Sequence, residues 1–205
     1  MERTLNITIY KNLSIDELTK SITDPENKAE AGSAAATTAS LAVALLARVS
    51  QYEFAQIKDP DDKLDWFVRN SEILRDYMVH LIDEDVRCRG PLRRALKEGD
   101  DRKIEASRQA AVSICLEIVN MMGKALEMAE GLLSYVQAES YAWLEESVIL
   151  AYAASSAASR FILHMVSLSP DETYRYVMKR ENEITMQEQK SMHDRILSTD
   201  LYMDK

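Results

Sequence analysis

Ala31-Gly32-Ser33-Ala34-Ala35-Ala36-Thr37-Thr38-Ala39-Ser40-Leu41-Ala42-Val43-Ala44-Leu45-Leu46-Ala47-Arg48-Val49 is the stretch whose reading decides the fold. No charged residue falls between Ala31 and Ala47. Ala favours helix, and small side chains let neighbouring helices approach closely. A soluble helix that is apolar all round must be covered all round. Ser33, Thr37, Thr38 and Ser40 can bond back to carbonyls of the preceding turn, so burial leaves them satisfied. The run is shorter than the roughly 20 strongly apolar residues a membrane span needs. It reads as the central helix of an all-α, up-and-down bundle.

Composition agrees. A chain of 205 residues suits one domain, and 46% hydrophobic content fits a packed core. Five Gly and four Pro leave few turns, which implies long helices. The net charge of -9 argues against nucleic acid or anionic membrane as partner. Cys88 and Cys115 are too few and too scattered for a disulfide framework or a zinc site. The N-terminus does not read as a secretory signal, so the cytoplasm is the expected location.

Outward from the central helix, residues 1–12 read as an extended strip through Leu5, Ile7, Ile9 and Tyr10. Ser14-Ile15-Asp16-Glu17 is a capping box, with Leu13 and Leu18 placed as its staple. Leu64, Phe67, Val68, Leu74, Met78, Leu81, Ile82 and Val86 form a helical stripe that Gly90-Pro91 is expected to kink or end. Gly99-Asp100-Asp101 marks the next turn, and a long helix follows from Ile104 to Val136. The last core helix, Ser140 to Leu168, is built from small residues between Ala151 and Ala158 and ends at Ser169-Pro170. About five long helices result. Residues 1–170 form the helical domain, and 171–205, poorer in apolar positions, form a polar helical arm on its surface or across a subunit interface.

Asp85 stands out by periodicity. It follows Met78, Leu81 and Ile82 at steps of seven, four and three, so it points with them into the core. A carboxylate there serves chemistry, or it is a structural partner of Arg89 one turn on. Asp83 and Glu84 read as solvated flankers. The free N–H groups at Gly32-Ser33 can bind an anion or simply start a helix. Glu145 and Glu146 suit the positive end of the last helix. His164 reads as a packing residue. His80, His164 and His193 lack ligand spacing, so no metal is expected. Cys88, between Arg87 and Arg89, is expected to have a lowered pKa, without the partners of a nucleophile.

The order of Leu13-Ser14-Ile15-Asp16-Glu17-Leu18, Gly32-Ser33-Ala34-Ala35-Ala36, Leu81-Ile82-Asp83-Glu84-Asp85 and Ala125-Leu126-Glu127-Met128-Ala129-Glu130 resembles the cyclodeaminase/cyclohydrolase family. The resemblance runs over roughly residues 13–168. It implies an all-α homodimer that needs no cofactor and takes a tetrahydrofolate derivative as substrate. It also implies C–N cleavage or hydrolysis on the formimino or methenyl form, with Asp85 and Glu145 as catalytic carboxylates and Gly32 and Ser33 at the ligand. An acid there moves protons or stabilises an iminium-like carbon. The chain departs from the family at several points. The family's Pro-Gly-Gly-Gly-Ser is Ala29-Glu30-Ala31-Gly32-Ser33 here, and its Gly-Asn before the last helix is Ala138-Glu139. The Asp after that Gly-Asn aligns with Glu145. An Asn pair near the end of that helix falls at Leu163 and Ser167, and the aromatic three residues after the Asp is Cys88. The alternative expectation is therefore a non-catalytic helical dimer scaffold with a rewritten ligand site.

Overall fold

The computed structural model describes residues 9–27 and 29–199. A 3-10 turn, Tyr10–Asn12, leads into six helices: α1 (Ile15–Thr23), α2 (Ala31–Gln56), α3 (Asp62–Glu98), α4 (Asp101–Leu132), α5 (Ala138–Ser167) and α6 (Glu172–Leu197). No strand occurs among the described residues, and the architecture is an all-α bundle with five long helices. Leu5 and Ile7 of the expected extended strip lie outside the described residues, and Tyr10 sits in the 3-10 turn instead.

Most helix starts are written locally. Ser14 Oγ accepts from the Glu17 N–H, and Glu17 accepts from the Ser14 N–H at 2.8 Å, closing the capping box. Asp61, Asp100 and Asp171 accept from the N–H groups of Leu64, Lys103 and Tyr174 and so start α3, α4 and α6. Gly99 ends α3 in the left-handed region, at a φ of 70°. Helices α2 and α5 lack a side-chain cap from their own N-cap residues, Glu30 and Gln137.

Gly90-Pro91 neither ends nor interrupts α3, which runs 37 residues through it. Pro91 removes one backbone donor, which deprives the carbonyl of Arg87 of its helical partner. Its ring lies on the exposed face, where water can serve that carbonyl.

Helix α2 packs between α3 and α5, with α4 behind them. Ala35, Ala36, Ala39, Ala42, Val43 and Leu46 are buried, facing the small residues Ala151, Ala154 and Ala158 of α5 among others. Ser147 of α5 donates to the Ala42 carbonyl at 2.8 Å, so the two helices touch backbone to side chain. Both are long and apolar enough to cross a membrane by length and composition, yet each serves as a core helix of the bundle. Cover is nevertheless incomplete. Leu41 on α2 and Ile149 on α5 are about half exposed. The C-terminal arm, α6, lies on α5 and α4 through Asn182, Gln189 and Ile196 at a seven-residue spacing. Gln189 donates to the Val119 carbonyl and accepts from Ser155, and Asn182 donates to Ser159.

Candidate functional site

The N-terminus of α2 is finished by a residue of α3. Asp85 is fully buried, and its Oδ2 accepts from both the N–H and the hydroxyl of Ser33, each at 2.9 Å. Its Oδ1 accepts from Nε and Nη2 of Arg89 at 3.2 and 3.1 Å. Those four bonds fill the acceptor directions of a carboxylate. The positive end of the helix and the guanidinium together offset the cost of burying the charge. Gly32 is required at this place. A Cβ there would stand 2.2 Å from Asp85 Oδ1, so the carboxylate rests directly on the helix backbone. Gly32, Ser33 and Asp85, singled out from sequence, are thus one contact.

From Asp85 the charges alternate outward. Arg89, also buried, lies over the Phe161 ring of α5 at 4.1 Å, and its Nη1 faces Glu30 Oε2 at 3.6 Å. Glu30 Oε1 accepts from Arg93 Nη2 at 2.6 Å. Arg93 also donates to the carbonyls of Glu26 and Asn27. The side chains of Glu30 and Arg93 are 36% and 34% exposed, so the chain Asp85–Arg89–Glu30–Arg93 runs from the core to solvent. Arg93 was not legible as a site residue, since its partner Glu30 is 63 positions away. Phe161 gave no signal beyond an ordinary core aromatic.

Other sequence expectations fall elsewhere. Glu145 is half-buried, sixteen residues before Phe161 on α5. At the 1.5 Å rise of a helix that is about 24 Å along the axis, so Glu145 stands apart from the Asp85 centre. Asp83 is not a solvated flanker: it is buried, and its Oδ1 accepts from the Tyr10 N–H at 2.7 Å and the Lys11 N–H at 3.3 Å. The Cys88 thiol is not activated by its arginines. Burial, then the charges of Asp85 and Glu84, push its pKa up. Cys115 is pushed up to about 12, chiefly by burial and then by Asp85. His164 is exposed rather than packed inside. Among the described residues, no three of the His, Cys, Asp and Glu side chains gather as metal ligands would.

A second carboxylate repeats the device that sequence reasoning found only at Asp85. Glu53 of α2 is fully buried, and its Oε1 accepts from the Gln137 N–H at 3.1 Å and from the Ser140 hydroxyl. It therefore starts α5 as Asp85 starts α2. The positions that align with the family's Asn pair, Leu163 and Ser167, line a shallow groove of about 320 Å³ between α5 and α6, with Arg175, Tyr176 and Lys179 on its far wall.

The formiminotransferase-cyclodeaminase family matches residues 14–183 of the chain. Among solved structures, the fold is similar to formiminotetrahydrofolate cyclodeaminase from Thermotoga maritima, with a TM-score of 0.83 at 17% identity. The superposition covers 91% of this chain and 94% of that one. No curated protein matches the chain.

Proposed function

Because the chain belongs to the formiminotransferase-cyclodeaminase family, we propose that it binds a one-carbon derivative of tetrahydrofolate and acts on a C–N bond of the formimino or methenyl form. The match over residues 14–183 carries this reading, because it spans both helices that build the Gly32–Ser33–Asp85 contact. The similar fold of the Thermotoga maritima cyclodeaminase supports it.

Asp85 is a positioning residue in this reading. It has no exposed surface and no acceptor direction left, so it works through Ser33 and Arg89. The ligand meets the solvent-facing end of the charge chain at Glu30 and Arg93. A carboxylate at that end stabilises the positive charge that develops on the iminium-like carbon as ammonia leaves the formimino form.

One observation favours a second reading, a non-catalytic dimer scaffold. Ser33 and Asp85 are in direct contact, so no ligand fits between them without moving one. Calorimetric titration with tetrahydrofolate and its formimino and methenyl forms, alongside the near-ultraviolet absorbance of the methenyl compound, separates the two. Saturable turnover that is lost in Asp85→Asn supports the enzyme. Absence of binding by all three folates overturns it and leaves the scaffold.

For the assembly, we propose a homodimer through the outer face of α2 and α5. Leu41, Ala44, Leu45, Arg48 and Leu150 line a groove of about 560 Å³ there. Arg48 lies over the Trp143 ring at 4.3 Å. Neither Arg48 nor Glu146, one turn past Trp143, forms an ion pair among the described residues. A face that carries both an unpaired cation and an unpaired anion around apolar residues is complementary to its own copy across a two-fold axis.

A further inference from the structure

Helix α1 is fastened to the bundle near its two ends and only lightly along its length. Leu18 is its one buried residue, with Leu13 and Ile22 half-buried beside it and Ile15 76% exposed. It shares no broad contact with any of the five long helices. An element with one buried apolar anchor opens at low cost, independently of a core such as that of α2 to α5. What holds it is polar and sits on α3. At one end, Asp83 Oδ1 accepts from the N–H groups of Tyr10 and Lys11 at 2.7 and 3.3 Å. At the other, Arg93 donates to the carbonyls of Glu26 and Asn27. Asp83 and Arg93 lie ten positions apart on α3, about 15 Å at the rise of a helix. The two ends are also tied to each other, since the Tyr10 hydroxyl donates to Asn27 Oδ1 at 2.5 Å. Residues 10–27 are thus a closed loop that carries α1 and hangs from α3 by two clips.

We propose that residues 10–27 are a strap that lifts as one unit while the bundle stays folded, and that lifting it opens the way to the start of α2. Arg93 links the two. Its guanidinium holds both strap carbonyls and also Glu30, the N-cap residue of α2. With the strap down, three acceptors occupy that fork, and Arg89 behind it is only 4% exposed. With the strap up, Arg93 keeps Glu30 alone, and its remaining donors turn to solvent. Asp85 is untouched, because its bonds to Ser33 and Arg89 lie inside the bundle. As a gate the strap rests on the folate reading, in which the ligand arrives at Glu30 and Arg93; as a movable unit it does not.

The test therefore needs no ligand. Hydrogen exchange, read residue by residue on the full chain, follows the α1 amides, and labelling with phenylglyoxal, which modifies accessible guanidiniums, follows Arg93. In the wild type the α1 amides exchange faster than the Ser33 amide, which Asp85 holds. Asp83→Ala removes one clip and speeds α1 exchange at least about tenfold, the scale of one hydrogen bond to a charged group. It also speeds the labelling of Arg93, although Asp83 stands about 15 Å away along α3, and it leaves the Ser33 amide unchanged. Asp83→Asn keeps an acceptor oxygen in the same place and gives a smaller rise in both. The proposal is overturned if α1 and Ser33 exchange together in the wild type, a result that requires no variant to fold. Unchanged α1 exchange or unchanged Arg93 labelling in both Asp83 variants, at native helix content by circular dichroism, overturns it as well. A failed folate titration leaves the strap standing, and a strap that does not lift leaves the folate reading standing.

Discussion

Gly32→Ala should destabilise the protein although it replaces a poor helix former with the best one. In an ordinary helix the change gains up to about 1 kcal/mol. Here the new Cβ would stand 2.2 Å from Asp85 Oδ1 and 2.5 Å from its Cγ, where real contacts begin at 3.0 Å. The carboxylate has to retreat from α2, and it cannot do so while keeping its bonds to Ser33 at 2.9 Å. Two hydrogen bonds to a charged group, at roughly 1.5–3 kcal/mol each, are weakened or lost. After the helix gain is subtracted, the net loss is roughly 2–5 kcal/mol, against a total stability of about 5–15 kcal/mol. Urea denaturation followed by circular dichroism reads this as a lower midpoint at unchanged slope. The sharper measurement is the double-mutant cycle with Asp85→Ala. Once the carboxylate is gone, Gly32→Ala has nothing to strike, and its effect reverses to neutral or mildly stabilising. A Gly32→Ala variant within about 0.5 kcal/mol of wild type would refute the packing argument. An equal loss in the Asp85→Ala background would do the same.

Two further outcomes follow from the structure. Light scattering at micromolar concentration should give twice the chain mass for the wild type and the chain mass for Leu41→Glu, which places a charge in the middle of the α2/α5 face; a monomeric wild type would remove the dimer. The Cys115 thiol, raised from an ordinary 9.0 to about 12 in the folded state, keeps its proton while the unfolded chain loses it, so its contribution is complete below pH 9 and is lost as pH rises towards 12. The wild type should therefore lose stability more steeply than Cys115→Ala over that window, by at most about 1.4 kcal/mol per pH unit, and parallel pH profiles for the two would contradict the assignment.

Fold was legible where its causes are local. The apolar periodicity of α3 and α4, the Ser14–Glu17 box and Gly99 as a terminator all depend on neighbours within a few positions, and the structure carries each of them. Pro91 misled because the sequence does not say which face the ring takes, and on the exposed face the helix simply continues. Asp85 was legible because its step from Met78 placed it inside. Asp83 was not, because what buries it is the backbone of Tyr10, 73 residues earlier in the chain. The same holds for Glu30. Only the fold shows that Arg93 and Arg89 hold its charge. Glu145 aligned with a family carboxylate by position in the sequence, whereas distance along α5 separates it from the centre.

Helices α2 and α5 cannot be completed by their own sequence. The first amides of α2 wait for a carboxylate 52 residues further on, and those of α5 for one 84 residues back. Each element is unfinished until its neighbour arrives: α2 requires α3, and α5 requires α2. An isolated α2 or α5 segment would fray at its start, and the chain as a whole gains helix ends only with tertiary docking. Such an arrangement ties local order to global order, so the Ser33 and Gln137 amides should exchange with solvent only when the whole bundle opens, rather than by the end-fraying that ordinary helices allow. It also delays folding, since pairings this distant in sequence must close large loops before they contribute.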